Sequence, residues 1–320
     1  VTVPVRLAQV GFGLEATYGT AVAPAMGFAW TQCGAVDVNA LGKDQSWRGS
    51  AADCYSHETG PLSSVVKLTG PALADTLGYL LCGVLGDYTF TGGTPNTHAF
   101  ALLNTGTQQP PSYAVTTKEP VGGLVRAGCK VASVKISVDA GNPITFDADL
   151  AGLASATTAN TPPAVGAEKL LPGWGFTATI GGSSEPRLIA ATVQLARPIE
   201  AKSNTDGSQA PWLQRSGALS VTGDITLAIT TDAYRAGFLA GSTTSIDLNF
   251  QSGVGAALRQ LKLHCSQVAL TDLNRDYGGK WVELQFSWEA EANTSDAGAS
   301  GGKSPIAVTL KNQVGSGVYK

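Results

Sequence analysis

Charge is what this sequence has least of. Of its 320 residues, 14% are Asp, Glu, Lys or Arg, and the formal net charge is −3, whereas soluble domains carry roughly a quarter charged residues. That excludes a basic, electrostatically driven nucleic-acid binder and an acidic disordered chain. Most of the surface must then be uncharged Thr, Ser, Asn, Gln, Ala and Gly, as expected of a chain that either buries its outside against copies of itself or lives as a neutral shell. Cysteines in motif spacing are also missing. Cys33, Cys54, Cys82, Cys129 and Cys265 include no C-x-x-C, which excludes a zinc ribbon and a redox motif and predicts reduced, mostly buried thiols. Long apolar runs are absent too: the longest, residues 77–85, is too short to span a bilayer. Residues 1–8 contain Pro4 and Arg6 and do not read as a secretory leader. The expectation is a soluble chain made inside the cell, without a membrane partner. Aromatics at 7%, against 39 Gly and 16 Pro, predict turns and short elements rather than long helices.

What is present is alternation with period two. Val134, Ile136 and Val138 alternate with Lys135 and Ser137, and Ile144, Phe146, Ala148 and Leu150 alternate with Thr145, Asp147 and Asp149. Joined by residues 139–142, they predict a hairpin. Val282, Leu284, Phe286, Trp288 and Ala290 form a second such run, whose partner is expected around Leu261, Leu263 and Cys265. Residues 65–69, 189–195 and 221–230 are further strand candidates. The class is mainly β, antiparallel, with one face buried. Two short helices are predicted. One opens at Gly70-Pro71 with Leu73, Leu77, Leu80 and Leu81 on one face and ends at Gly83; the other opens at residues 230–232 with Tyr234 and Phe238 and ends at Gly241.

Each helix follows a strand and precedes a hairpin, with Cys129 and Cys265 read as matching positions, so the chain is expected to carry an internal repeat. A longer loop, residues 91–112, would sit in the first copy. The organisation predicted is an N-terminal arm 1–42, a first unit 43–153, a linker 154–173, a second unit 174–295 and a C-terminal arm 296–320, in which residues 306–310 are a short strand candidate.

The apparent catalytic motifs are weak. Gly11-x-Gly13-x-x-Ala16 follows a strand, but residues 17–24 cannot supply the helix that a dinucleotide fingerprint needs. Residues 272–283 match an EF-loop at its acidic positions, yet Tyr277 replaces the glycine of its sharp turn and the flanks alternate as strands. His57, His98 and His264 have no ligand spacing, and no G-x-S-x-G elbow occurs. Neither a cofactor nor an enzymatic activity is expected. Asp147 and Asp149, and Glu283, Glu289 and Glu291, fall on the polar side of comparable hairpin strands. If these faces line one surface, that surface is acidic and repels phosphate.

The stretch GFGLEATYGTAVAP, through Gly13, Glu15, Tyr18, Gly19, Thr20 and Pro24, resembles the opening of the tail tube proteins of tailed bacteriophages. The hairpin GCKVASVKISVDAGNPITFDADLAG resembles that family's core hairpin. The resemblance implies a structural protein of the virion tail, assembled in the host cytoplasm: a β-sandwich with one flanking helix. Inner sheets would join around a lumen, in stacked rings that conduct DNA without binding it specifically. It also implies a tape measure protein and a tail terminator as partners. The family carries one fold per subunit and six subunits per ring. Two tandem units, each with one short flanking helix, would instead make a trimeric pseudo-hexamer, favoured here over a plain hexamer. The alternative class is a virion-surface or secreted β-sandwich adhesion module binding carbohydrate; dispersed Trp174, Trp212, Trp281 and Trp288 and the expected absence of a secretory leader speak against it.

Overall fold

Alternating apolar and polar side chains need a partner strand on each side and a core on one face, and long-range pairing supplies both. The computed structural model describes residues 4–229 and 232–320. Its first half runs β1 (Gln9–Leu14), β2 (Met26–Phe28), β3 (Gln32–Asn39), β4 (Gly42–Asp44), β5 (Ser56–Glu58) and β6 (Leu62–Pro71) into helix α1 (Ala74–Leu85). After α1 come β7 (Gly86–Thr91), β8 (Asn96–Leu102), β9 (Tyr113–Glu119), β10 (Gly122–Asp139), β11 (Thr145–Gly152) and β12 (Ala156–Thr157). The second half runs β13 (Phe176–Ile180), β14 (Ser183–Ser184), β15 (Leu188–Ala196), β16 (Ile199–Lys202), β17 (Leu213–Ser216) and β18 (Ser220–Ala228) into α2 (Ala233–Leu239). It closes with β19 (Thr244–Ser252), β20 (Arg259–Asp276), β21 (Glu283–Ala290) and β22 (Ala307–Asn312). The fold is mainly β, and no helix among the described residues is long and apolar enough to cross a membrane.

One long antiparallel sheet organises the chain, in the order β3-β6-β11-β10-β15-β18-β21-β20. The expected hairpin is its centre, with Val134 opposite Ala148 and Ile136 opposite Phe146. β10 and β20 each leave this sheet at their N-terminal ends to enter a second layer, where β10 pairs with β9 and β12, and β20 with β19 and β22. The two four-strand blocks, β3-β6-β11-β10 and β15-β18-β21-β20, have the same strand order, and each has a helix after its second strand in sequence. By the bulges in these long strands, Cys129 stands where Val268 stands, not Cys265: Cys129 and Val268 both directly follow the same bulge toward β9 and β19.

The core lies between the layers, and α1 is sunk in it; every residue of α1 except Asp75 is buried. The helix begins three residues after Pro71, which ends β6, and it runs past Gly83 to a cap at Gly86. Gly83 lies inside it, against Val131 and Tyr113. The segment expected as a loop opens within the β7–β8 hairpin, which helps cover α1. Thr230 and Thr231, expected to open the second helix, lie outside the described residues, as does Val3. α2 has no buried residue, and Tyr234 stacks on Phe286 at 5.6 Å.

Residues 9–39, where an arm is expected, form three paired strands, and Phe12 stacks on Phe28 at 4.1 Å in the core. The C-terminal stretch is likewise built in. β22 pairs with both β20 and β8, and Tyr319 is buried against Gly78 of α1, where a Cβ would fall 2.3 Å from the ring.

Between the halves, Glu168 caps α1: its carboxylate accepts the N–H of Ala74 at 2.8 Å and of Asp75 at 3.1 Å. Arg259 of β20 lies 3.3 Å from Asp75 and 3.5 Å from Glu168. Burial first, and then the Asp75 carboxylate, push Glu168 from its ordinary 4.5 up to about 7, against the pull of those N–H groups and Arg259. Between these values the folded chain holds a proton that the unfolded chain has released. Its contribution to stability therefore falls as pH rises from about 4.5 to about 7. Urea midpoints taken across that window should fall, and Glu168→Gln should flatten the slope.

Candidate functional site

The polar face of the long sheet collects most of the candidate residues. Because side chains of a strand alternate, residues in register across neighbouring strands form rows on one face. One row reads Gln32, Thr69, Asp147, Lys135, Gln194, Thr222 and Glu289. The next contains Thr192, Asp224, Ser287 and Asp272. Asp149 lies between Lys67 and Ser133; Lys67 Nζ is 3.4 Å away, and Ser133 Oγ donates to its carboxylate at 3.2 Å. Glu283 stands opposite Asp276, with no cation between them in register. Glu291 lies just beyond β21; its N–H donates to Gln267 O at 2.8 Å, and its carbonyl accepts Asn293 Nδ2.

The four predicted acids within the strands, all but Glu291, thus lie in two settings. On the first block, Lys67 and Lys135 are in register with Asp149 and Asp147, and the charges balance. On the second, Asp224, Asp272 and Asp276 join Glu283 and Glu289, and the face rows of β18, β21 and β20 contain no lysine or arginine. Sequence reasoning missed Asp224, which accepts Thr192 Oγ1 at 3.1 Å and Ser287 Oγ at 2.7 Å. It also missed both lysines. The signal was available, since Lys135 and Asp224 sit at polar positions of alternating runs, but their neighbours across the sheet come from distant sequence.

The N-terminal motif forms a buried knot. Glu15 is 7% exposed; its carboxylate accepts the N–H of Gly19 at 3.0 Å, the N–H of Gly128 at 2.7 Å and Ser112 Oγ at 2.7 Å. Tyr18 lies over Gly128, and its hydroxyl is held above its ordinary range by burial first and by Glu15 second. Thr20 donates its N–H to Thr17 O, closing the turn. Gly13 has no room for a side chain, since a Cβ would lie 2.5 Å from Ala23 O, and Pro24 packs by Gly11. The motif therefore joins β1 to the start of β9 and to the first bulge of β10. Gly11 and Gly13 lie within β1, with no helix after them. Lys130, beside this knot, is lowered to about 8 by burial, opposed by Glu15, and donates to Pro110 O.

The remaining polar clusters tie structure together. His98 is buried between Tyr88 and Asn312, at 3.0 and 2.9 Å. His264 lies 2.7 Å from Asp247 and 3.0 Å from Ser266 Oγ. His57 is exposed on β5. The turn after Asp276 is closed by Gly278 N–H on Asp276 Oδ1, with strands on both sides where an EF-hand has helices.

Set against known proteins, residues 6–313 match a family model described as phage tail tube protein. No curated protein matches the chain.

Proposed function

The chain belongs to the phage tail tube protein family, and from that membership we propose that it is a ring subunit whose long sheet lines the bore of the tube. The observation that carries this reading is the long sheet itself: eight strands in two blocks of equal order, whose six inner strands are apolar and buried on one face and mostly polar and open on the other. Each block is one tandem unit, one in residues 43–153 with the strands of residues 9–39 added, the other in residues 174–295, with 154–173 as the linker. Three chains then supply six blocks, a trimeric pseudo-hexamer, and rings stack into the tube of the virion tail after assembly in the host cytoplasm. A tape measure protein inside the bore and a terminator at its end are the partners that this role requires.

Such a wall alternates charge-balanced sectors, from the first block, with acidic ones, from the second. Acidic sectors repel the phosphate backbone, and the balanced ones offer it no net attraction, so DNA passes without being held. The role is structural and asks for no catalytic group.

Two experiments test the two levels. Purified protein imaged by electron microscopy at high concentration should show rings or tubes; persistent monomers would overturn the tube reading. In phage carrying Glu283→Lys with Glu289→Lys, normal tails are expected to eject DNA several-fold more slowly. Unchanged ejection would remove the acidic-sector argument.

A further inference from the structure

The long sheet ends on two strand edges that pair with nothing among the described residues. β3 pairs with β6 alone, and residues 270–276 of β20 pair with β21 alone. Edges of this kind are templates for another chain. The same two kinds of edge already meet inside the molecule, where β10 pairs with β15.

The correspondence is fixed by landmarks. β10 and β20 are each 18 residues long. Each bulges twice at equal spacing: between Arg126 and Cys129 and between Val131 and Ser133 in β10, and between Cys265 and Val268 and between Leu270 and Asp272 in β20. Aligned on these bulges, Asp272, Asn274 and Asp276 take the positions of Ser133, Lys135 and Ser137. Through their pairings with β6 and β18, Gly34, Val36 and Val38 take the positions of Thr192, Gln194 and Ala196. Both β3 and β15 also run on into a two-stranded ribbon, β4–β5 and β16–β17.

Within the chain, Ser133 stands opposite Ala196, Lys135 opposite Gln194 and Ser137 opposite Thr192. We infer that the chain carries a template of its own intersubunit joint: β3 of one copy adds antiparallel to residues 270–276 of the next, with Asp272 opposite Val38, Asn274 opposite Val36 and Asp276 opposite Gly34. This deepens the tube reading and rests on it. The contact is heterologous, as closing a ring requires.

Three differences between the internal joint and the free edges agree with a second copy as occupant. Val138, covered by β15, is 5% exposed, whereas Tyr277 at the same position is 70% exposed. Arg275, at the position of Ile136, pairs with Asp232, but its buried Nε has no partner. In the inferred register it faces Ala35 of the next copy and lies diagonal to Asp37, a carboxylate that already accepts from Ser155 but stays exposed enough to meet a long side chain. The ribbon β16–β17 is seated on the first block, with Gln214 Nε2 donating to Gly152 O and Ser216 N–H to Gln109 Oε1. The ribbon β4–β5, by contrast, is almost wholly exposed, with Trp47 at its tip. In the joint it sits on the second block of the next copy.

Cysteine pairs test the register. In a Cys33→Ser, Cys54→Ser background, where the other three thiols are buried, the pair Val36→Cys with Asn274→Cys places Cα atoms at disulfide distance across the joint. Val38→Cys with Asp272→Cys is a second such pair, and Val38→Cys with Asp276→Cys a control four residues out of register. Mild oxidation of assembled protein should give at least about 10-fold more covalent multimer for either in-register pair than for the control, whose Cα atoms lie beyond disulfide distance. Equal or reversed yields in intact rings overturn the register and leave the tube reading standing. A wild-type chain that sediments only as monomer overturns both. Hydrogen exchange on the unmodified chain is independent of any variant: the amides of residues 32–39 and 270–276 that point away from β6 and β21, about every second one, should slow at least about 100-fold on assembly, as newly paired strand amides do. Unchanged exchange there in assembled protein also overturns the joint.

Discussion

Tyr319→Ala is expected to destabilise the fold by about 3–5 kcal/mol, the range for truncating a large buried aromatic. The ring is fully buried and meets Tyr79 at 5.3 Å and His98 at 5.0 Å, both edge-on. Its hydroxyl donates to Asp75 O at 2.7 Å and accepts Asn312 Nδ2 at 2.8 Å, while its carbonyl accepts the Tyr113 hydroxyl. The missing side chain of Gly78 makes the space it fills. Truncation opens a cavity beside α1 and leaves the Tyr113 and Asn312 donors in a disturbed setting. Tyr319→Phe keeps the ring and loses the hydroxyl bonds alone, so it should cost about 1 kcal/mol. Urea unfolding of both variants separates packing from hydrogen bonding. A loss below about 1 kcal/mol for the alanine variant, well under the usual cost of such a truncation, would mean that the C-terminal segment does not hold α1.

That segment also shows where sequence reading reaches its limit. Residues 296–305 are mostly Ser, Gly and Ala without a large apolar group, and they read as an arm because nothing local distinguishes a solvated tail from one threaded between layers. Asn293 and Asp296 are in fact buried and bonded to each other at 2.9 Å, a contact that becomes meaningful once Ser266 of β20 donates to Asp296. The first 40 residues hid their strands for another reason. Gly11, Gly13, Gly34 and Ala35 are too small to register as an apolar stripe, although they pair in order with β9 and β6. The central hairpin and β21 were legible because large residues alternate there and each finds its core within its own block. The polar face was half legible: its acids stood in regular positions, but the balancing role of Lys67 and Lys135 depends on register between strands far apart in sequence.

Glu15→Ala should be the most damaging change within the family motif, costing about 3–5 kcal/mol. Three donors, the Gly19 and Gly128 N–H groups and Ser112 Oγ, converge on one buried carboxylate, and each buried donor left without an acceptor costs about 1–3 kcal/mol. Partial rehydration keeps the sum below its maximum. Glu15→Gln preserves the shape but turns one oxygen into a donor facing donors, so about half of the loss should remain, by the same unit cost. The charge has a separate consequence. Lys130 is already lowered to about 8 by burial, and Glu15 is what opposes that fall. Without the carboxylate its folded value drops further, and over a wider range of pH the unfolded chain binds a proton that the folded chain does not. Stability of the alanine variant should therefore begin to rise at lower pH than that of the wild type and rise further in total, up to about 10, where the unfolded lysine also loses its proton. Urea midpoints at several pH values measure both effects. A uniform loss with an unchanged slope would leave the hydrogen bonds as the whole role of Glu15. A loss under about 1 kcal/mol, less than one unpaired donor costs, would mean that the knot joining β1, β9 and the bulge of β10 is held by Tyr18 and packing instead.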